Sequence, residues 1–349
     1  KLVEIVKATY FNPKIVVIDE TTTALSQEGR EELYKHMERI RKSGNTVIFI
    51  SHDLPEIIEK SDTITILRDG VYIDTVKSKD VNENDLKKLM VGREVTGDYY
   101  RSDYGEKVSD EVVLSVKDVT VPGLIENVSF DLHKGEILGF GGLSESGMHE
   151  IGKAIFGASY DREGTVELAD GTQINDIPTA IKHSIAYTSK DRDNESVVLN
   201  QSIGDNICLP SLDELSGPAH LISDKKKKDF ANKFAKQMSV KMVDVNQFVS
   251  NLSGGNKQKV VLARWIGKDS DIVVLDSPTR GIDIKVKQDI YQLMNQMRKN
   301  GKSIIMISEE LMELIGMCDR IMIMKDGKIS GELERDQNLD ENGLITMMV

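Results

Sequence analysis

The chain's 349 residues are 39% hydrophobic and 29% charged, a balance that excludes a disordered or fibrous protein and leaves room for more than one folded unit. Its formal net charge of −12 argues against sequence-blind binding of nucleic acid, which needs a basic face. Two cysteines, Cys208 and Cys318, are too few for a disulfide framework or a zinc cluster, so no disulfide and a reduced compartment are expected.

The opening KLVEIVKATY lacks the layout of a secretory signal, and no stretch reaches the roughly 18 apolar residues of a membrane span, so a cytoplasmic location is expected. With no initiating methionine, the chain reads as a fragment or a processed product. From Ile15, "IVVIDETTTALS" predicts a buried strand closed by Asp19 and Glu20. An amphipathic helix, a Gly turn, a second Val/Ile strand in "RKSGNTVIFIS", another helix and a hairpin at Asp69-Gly70 follow. A carboxylate at a strand end, Asp19, is suited to holding the water shell of Mg2+, and Glu20 is placed to polarise an attacking water. Residues 93–111, beginning "REVTGDYYRSDYGEKVSD", have no sustained periodicity and many turn formers, as a linker would.

Beyond the linker, "VVLSVKDVTVPGLIENVSFDLHKGEILGF" predicts a small antiparallel sheet and then a strand leading into a glycine loop. That loop, "GGLSESGMHE", sets Gly142 and Gly147 at the spacing of the phosphate-binding pattern G-x-x-x-x-G-K-[ST]. Met148, however, stands where lysine would neutralise phosphate, and His149 where a hydroxyl would meet Mg2+. Lys153 lies a turn and a half of helix further on and is not expected to substitute. Residues 190–266 read as mostly helical, with the basic run Lys225 to Lys228 as a solvated helix start. Within them, "LSGGNKQKVVLARWI" places Ser253 and two adjacent glycines ahead of a patterned helix whose positive end faces the loop, a ready anion site.

"IVVLDSPTRGID", starting at Ile272, then rewrites the first strand 257 residues later. The offset pairs Ser51 with Ser308 and Asp69-Gly70 with Asp326-Gly327 without a gap. Where the first copy has Glu20 the second has Ser277, after Asp276, and where the first has His52 the second has Glu309. Val/Ile strands alternating with helical patterns predict an α/β fold with a parallel sheet covered on both faces.

Together "LSGGN", "ARWI", "DSPTRGID" and "SIGDNICLPSL" resemble the second cassette of the double-cassette ATP-binding subunits of bacterial simple-sugar importers, the ribose, galactose and xylose type. The resemblance covers nearly the whole chain. It implies a P-loop NTPase of the ATP-binding cassette (ABC) type: a parallel sheet flanked by helices, a small antiparallel β subdomain, a helical subdomain, and a second, partial copy at the N-terminus. Residues 1–92 would be the C-terminal half of one cassette, 93–111 the linker, and 112–349 a near-complete second cassette with a degenerate nucleotide site. The implied activity is hydrolysis of ATP with Mg2+. The implied partners are membrane permease subunits at the cytoplasmic face of the cell membrane and, indirectly, an extracytoplasmic sugar-binding protein, with no nucleic acid.

By the same resemblance, His52 is the family's switch histidine, which reaches the γ-phosphate. The signature loop Leu252, Ser253, Gly254, Gly255 and Asn256 would close on the nucleotide served by Asp19, Glu20 and His52, making one competent composite site. Gly142, Gly147, Met148, His149, Asp276, Ser277 and Glu309 would form a lapsed one. Further departures are Thr21 in place of proline, "KDR" (Lys190 to Arg192) in place of "EDR", and no aromatic in "VKDVTVPG" for adenine to stack on. Alternative readings are a nucleoside importer of the same architecture, a soluble double-cassette protein of translation or DNA repair, and a non-hydrolysing regulatory remnant. By the repeat, the first phosphate loop and the first signature loop fall ahead of Lys1. The chain alone is therefore expected to bind Mg-ATP poorly and hydrolyse it negligibly, and its first half-cassette to expose apolar strand edges and be the less stable part.

Overall fold

The computed structural model describes residues 7–8, 10–11, 13–19, 21, 27–51, 53–68, 71–91, 99–103, 108–217, 220–282, 284–336 and 339–348. Two compact units emerge, residues 1–98 with 283–285, and residues 99–282 with 286–349. Glu20, His52 and the Asp69-Gly70 turn lie outside the described residues.

In the first unit, β1 (Ile15–Asp19) pairs in parallel with β2 (Thr46–Ile50). The helix Gln27–Lys42 follows β1 and turns Leu33 and Met37 onto Val16 and Ile18, making a small core. This corrects the expectation of a buried strand: Val16 and Ile18 are buried, but Ile15 and Val17 are 59% and 58% exposed, and Ile48 and Ile50 on β2 are exposed too. Successive side chains of a strand face opposite ways, and among the described residues of this unit only one face of the pair is covered. Next comes the short helix Leu54–Lys60, whose start is fixed by Asp53 accepting from the Glu56 N–H and by Pro55 in the first turn. A hairpin of β3 (Thr63–Arg68) and β4 (Val71–Lys77) and the helix Glu83–Val91 complete the unit.

The second unit builds β5 (Val112–Val121), β6 (Ile125–His133), β7 (Ile137–Gly142), β8 (Glu163–Leu168), β9 (Ile185–Thr188), β10 (Ile272–Asp276), β11 (Ser303–Ile307), β12 (Arg320–Lys325) and β13 (Lys328–Glu334). A six-stranded sheet runs β13-β12-β7-β11-β10-β9, parallel except for the β12–β13 hairpin. A separate antiparallel sheet runs β6-β5-β8, its third strand not foreseen from the residues. The repeat survives in detail. Ile15 pairs with Thr46 as Ile272 pairs with Ser303, and the hairpin bulge between Ile66 and Leu67 recurs between Ile323 and Met324. Here, however, every residue of β10 and β11 is buried, because β9 and β7 flank them and helices cover the sheet. Each such aliphatic side chain contributes roughly 1.5–3 kcal/mol on full burial.

Helices Ile203–Cys208, Asp224–Gln237 and Gly254–Lys268 form the helical part. Its pivot is Arg264, whose Nε donates to the Asn206 carbonyl (2.7 Å), Nη1 to the Ser196 carbonyl (2.6 Å) and Nη2 to Asn206 Oδ1 (3.0 Å). Burial pushes this guanidinium down to about 10. Residues 99–103, inside the stretch read as linker, pack on this unit: Tyr99 and Tyr100 stack edge-on or tilted against Tyr291, and Arg101, 5% exposed, donates to the Met317 carbonyl and Asp319. Cys208 and Cys318 are separate, buried free thiols. No described helix is long and apolar enough to cross a membrane.

Candidate nucleotide site

Strand β7 delivers its last residue, Gly142, to a tight loop closed by Ser146 N–H donating to the Leu143 carbonyl, and the helix Met148–Ile155 starts from Gly147. Gly147 has φ 90°, and a Cβ there would lie 2.6 Å from the Leu124 carbonyl oxygen, so only glycine fits. The backbone course of a phosphate loop is thus present. Its chemistry is not: Met148 is fully buried in the unit's core, and Lys153 is turned away to an exposed ion pair with Glu195.

His149, Asp276, Ser277 and Glu309, distant in sequence, come together beside this loop. His149 Nδ1 lies 2.7 Å from Asp276 Oδ1 and donates to it, Asp276 being an acceptor at the end of β10. The imidazole Nε2 faces Lys190 Nζ at 3.0 Å and Glu309 Oε1 at 3.4 Å, accepting from the first when neutral and donating to the second when charged. Lys190 Nζ also donates to Glu309 Oε1 at 2.7 Å, and Ser144 Oγ to the same oxygen at 3.1 Å. Asp276, 1% exposed, accepts further from Ser277 Oγ (3.3 Å) and Tyr187 OH (3.4 Å). Burial opposes a charge on His149, yet its bonds to Asp276 and Glu309 prevail and raise its pKa. Glu309 is held far below the usual carboxylate range by its bonds to His149 and Lys190, against its partial burial. Ser277 takes a left-handed conformation, φ 49°, and its N–H donates to the Ile307 carbonyl.

This donor set does not fit Mg-ATP. A magnesium ion asks for oxygen ligands at about 2.1 Å in octahedral array, whereas both oxygens of Asp276 are engaged by protein hydrogen bonds and the neighbouring ligand position offers an imidazole nitrogen. The lysine that would meet phosphate is absent.

The signature loop is differently built. Ser253 caps the helix Gly254–Lys268 with its side chain exposed and making no cap bond, while Asn256 Nδ2 donates to Ser253 Oγ at 2.9 Å and Asn256 Oδ1 accepts from the Lys241 N–H at 2.7 Å. Leu252 is buried in the core and anchors the turn. Arg192 lies against the loop: a Cβ on Gly254 would be 3.1 Å from Arg192 Nη2. A cleft of about 220 Å3 borders the end of β10, lined by Lys190, Arg192, Gln258, Ser277 and Arg280 among others. Asp19 ends β1 as Asp276 ends β10, paired with Ile50 as Asp276 is with Ile307.

Residue reasoning noted Lys190 only as a departure from "EDR" and missed its bonds to His149 and Glu309. The signal was available: a lysine replaces the acid of "EDR" at 190 and a glutamate stands at 309 where the first copy has His52, a complementary pair of charges suited to partners.

Residues 125–280 match the family described as ABC transporter. Ribose import ATP-binding protein RbsA of Clostridium tetani is 38% identical over 342 residues, 98% of this chain and 67% of the relative. Xylose import ATP-binding protein XylG of Thermoanaerobacter pseudethanolicus is 43% identical over 346 residues, 97% of this chain and 68% of the relative. The fold is that of solved ATP-binding cassettes. A nucleotide-free cassette from an ABC transporter aligns with TM-score 0.58 and 17% identity, covering 68% of this chain and 99% of that one. The cassette MJ0796 bound to ADP and Pi aligns at 0.56 and 22% identity, covering 64% and 99%. With relatives this similar along almost all of its length, the chain belongs to the ABC transporter family, among its ATP-binding ATPases.

Proposed function

We propose that the chain acts in the ATP-hydrolysing subunit of an importer of simple sugars, peripheral to the cytoplasmic face of the membrane and docked on permease subunits, with one competent composite site and one degenerate site. The sugar class rests on the ribose and xylose import proteins it resembles. The asymmetry rests on one observation above all: Asp276, which would serve a metal in the second cassette, is bonded to His149 instead.

In the competent site, Asp19 would hold Mg2+ through its water shell and Glu20 would take the proton of the attacking water, with His52 donating toward the γ-phosphate. The other wall would be the signature loop, Leu252 to Asn256. There the exposed Ser253 hydroxyl and the unsatisfied N–H groups of the first helical turn donate to an anion. When bound, Mg2+ supplies charge neutralisation between phosphate oxygens.

The test is ATP turnover by the assembled transporter. Glu20→Gln should lower it by roughly a hundredfold or more, as loss of a general base does, whereas Ser277→Ala should leave it within about twofold. Equal losses from the two would refute the division of labour.

A further inference from the structure

Lys190 stands where the resembled "EDR" has glutamate, Glu309 stands where the first copy has His52, and the two touch, Nζ to Oε1 at 2.7 Å. His149, where a metal-facing hydroxyl would stand, bridges from them to Asp276. The four residues come from four segments: the helix after the phosphate loop, the turn after β9, the end of β10 and the turn after β11. Asp276 is almost fully buried and would be left without a cationic or N–H partner if His149 were removed.

We propose that this half-site is a built-in electrostatic lock. The Lys190 ammonium and the His149 imidazole stand in for the charge of a metal and a phosphate-loop lysine, and with Glu309 and Asp276 they tie the four segments into one arrangement that needs neither Mg2+ nor nucleotide. This rests on reading Gly142 to His149 as a lapsed phosphate loop, and it deepens that reading: the site is filled by its own side chains, and Glu309 is a working member of it. A lock of this kind keeps the turn after β10 and the loop from Ser189 to Arg192, which lies against the signature glycine, in a constant position while the other site turns over.

The test uses the 349-residue chain and two readouts, photolabelling by 8-azido-ATP with Mg2+, mapped by peptide mass spectrometry, and thermal unfolding of the second unit. The lock predicts no ATP-competable label in peptides spanning residues 142–149, and a melting temperature that Mg-ATP or EDTA moves by less than about 1 °C, since a ligand that does not bind cannot stabilise. Lys190→Met should lower that melting by about 3 °C or more, while Lys153→Met, which breaks only an exposed pair, should leave it within about 1 °C. Glu309→Gln, which keeps shape and some hydrogen bonding, should show a smaller drop than Lys190→Met. Competable label at 142–149, stabilisation by Mg-ATP of the second unit, or equal melting of Lys190→Met and Lys153→Met would overturn the lock. None of these readouts uses turnover, so an inactive transporter would count against the proposed function and leave this inference standing.

Discussion

Tyr291 donates its hydroxyl to Glu313 at 2.5 Å, and 257 residues earlier Tyr34 donates to Glu56 in the same way. Ser308 and Ser51, the residues just before Glu309 and His52, complete the same pairing, donating to Glu313 at 3.0 Å and to Glu56 at 2.7 Å. In the second unit Thr279, from the turn after β10, and Lys287 add to the 1% exposed Glu313 carboxylate. Each glutamate thus ties the serine after its strand to a tyrosine of the preceding helix. Tyr291→Phe should cost about 1–2 kcal/mol and Glu313→Ala about 3 kcal/mol or more, because the second leaves several buried donors unpaired. Urea unfolding followed by fluorescence would measure both, and a Glu313→Ala value no larger than that of Tyr291→Phe would refute the hub.

Acid should weaken the seam formed by residues 99–103. Burial disfavours charge on Asp103, but Arg101 and then Arg298 prevail and lower its pKa to about 2 from 3.8. A depressed carboxylate contributes stability that is present above the unfolded-state value and lost as pH falls from near 3.8 toward 2. With solvent screening, the contribution is about 1 kcal/mol. Asp103→Asn should therefore be less stable than the native chain at pH 6 and converge with it near pH 2; parallel curves of stability against pH for the two proteins would exclude this role.

Gly147 and Gly281 both have positive φ, 90° and 66°, but differ in surroundings. An alanine Cβ at 147 would meet Leu124 O and Ile125 Cγ2 at 2.6 Å each, whereas at 281 nothing lies within 4 Å. Gly281→Ala should cost about 1 kcal/mol from backbone strain alone, and Gly147→Ala about 3 kcal/mol or more from strain and overlap together. Similar losses at the two sites would mean that the loop yields easily.

Unfolding should proceed in two steps, the first unit before the second. One face of β1 and β2 exposes Ile15, Val17, Ile48 and Ile50, while β10 and β11 bury all their residues. Because Arg101 and the tyrosines at 99 and 100 pack on the second unit, the fragment resistant to brief proteolysis should begin ahead of Tyr99 and not after Asp110. A single calorimetric transition, or a resistant fragment starting beyond Asp110, would contradict this.

Much of the architecture was legible in the residues because its signals are local. A five-residue Val/Ile run, an Asp-Gly turn and a 3.6-residue stripe each act within one element, and duplication at a constant offset doubled the signal for β1, β2, β10 and β11. The third strand of the small sheet, Glu163–Leu168, was not legible, since "EGTVEL" is short and polar and becomes a strand only by pairing with β5. The seat of residues 99–103 was hidden for a similar reason: Arg101 looks like a solvated linker charge until Asp319 and the Met317 carbonyl enclose it.

Around the Gly142–His149 loop, the residues alone determined what is replaced: the lysine and hydroxyl of the phosphate-binding pattern at 148 and 149, and the counterparts of Glu20 and His52 at 277 and 309. Only the tertiary structure decided what those replacements do. Met148 enters the core, while His149, Lys190 and Glu309 meet each other and Asp276 across as many as 160 positions of chain. The reason is physical: hydrogen bonds act over about 3 Å of space, and the strand order of the parallel sheet, with β10 beside β11 and β7 next to it, sets which distant charges share that distance.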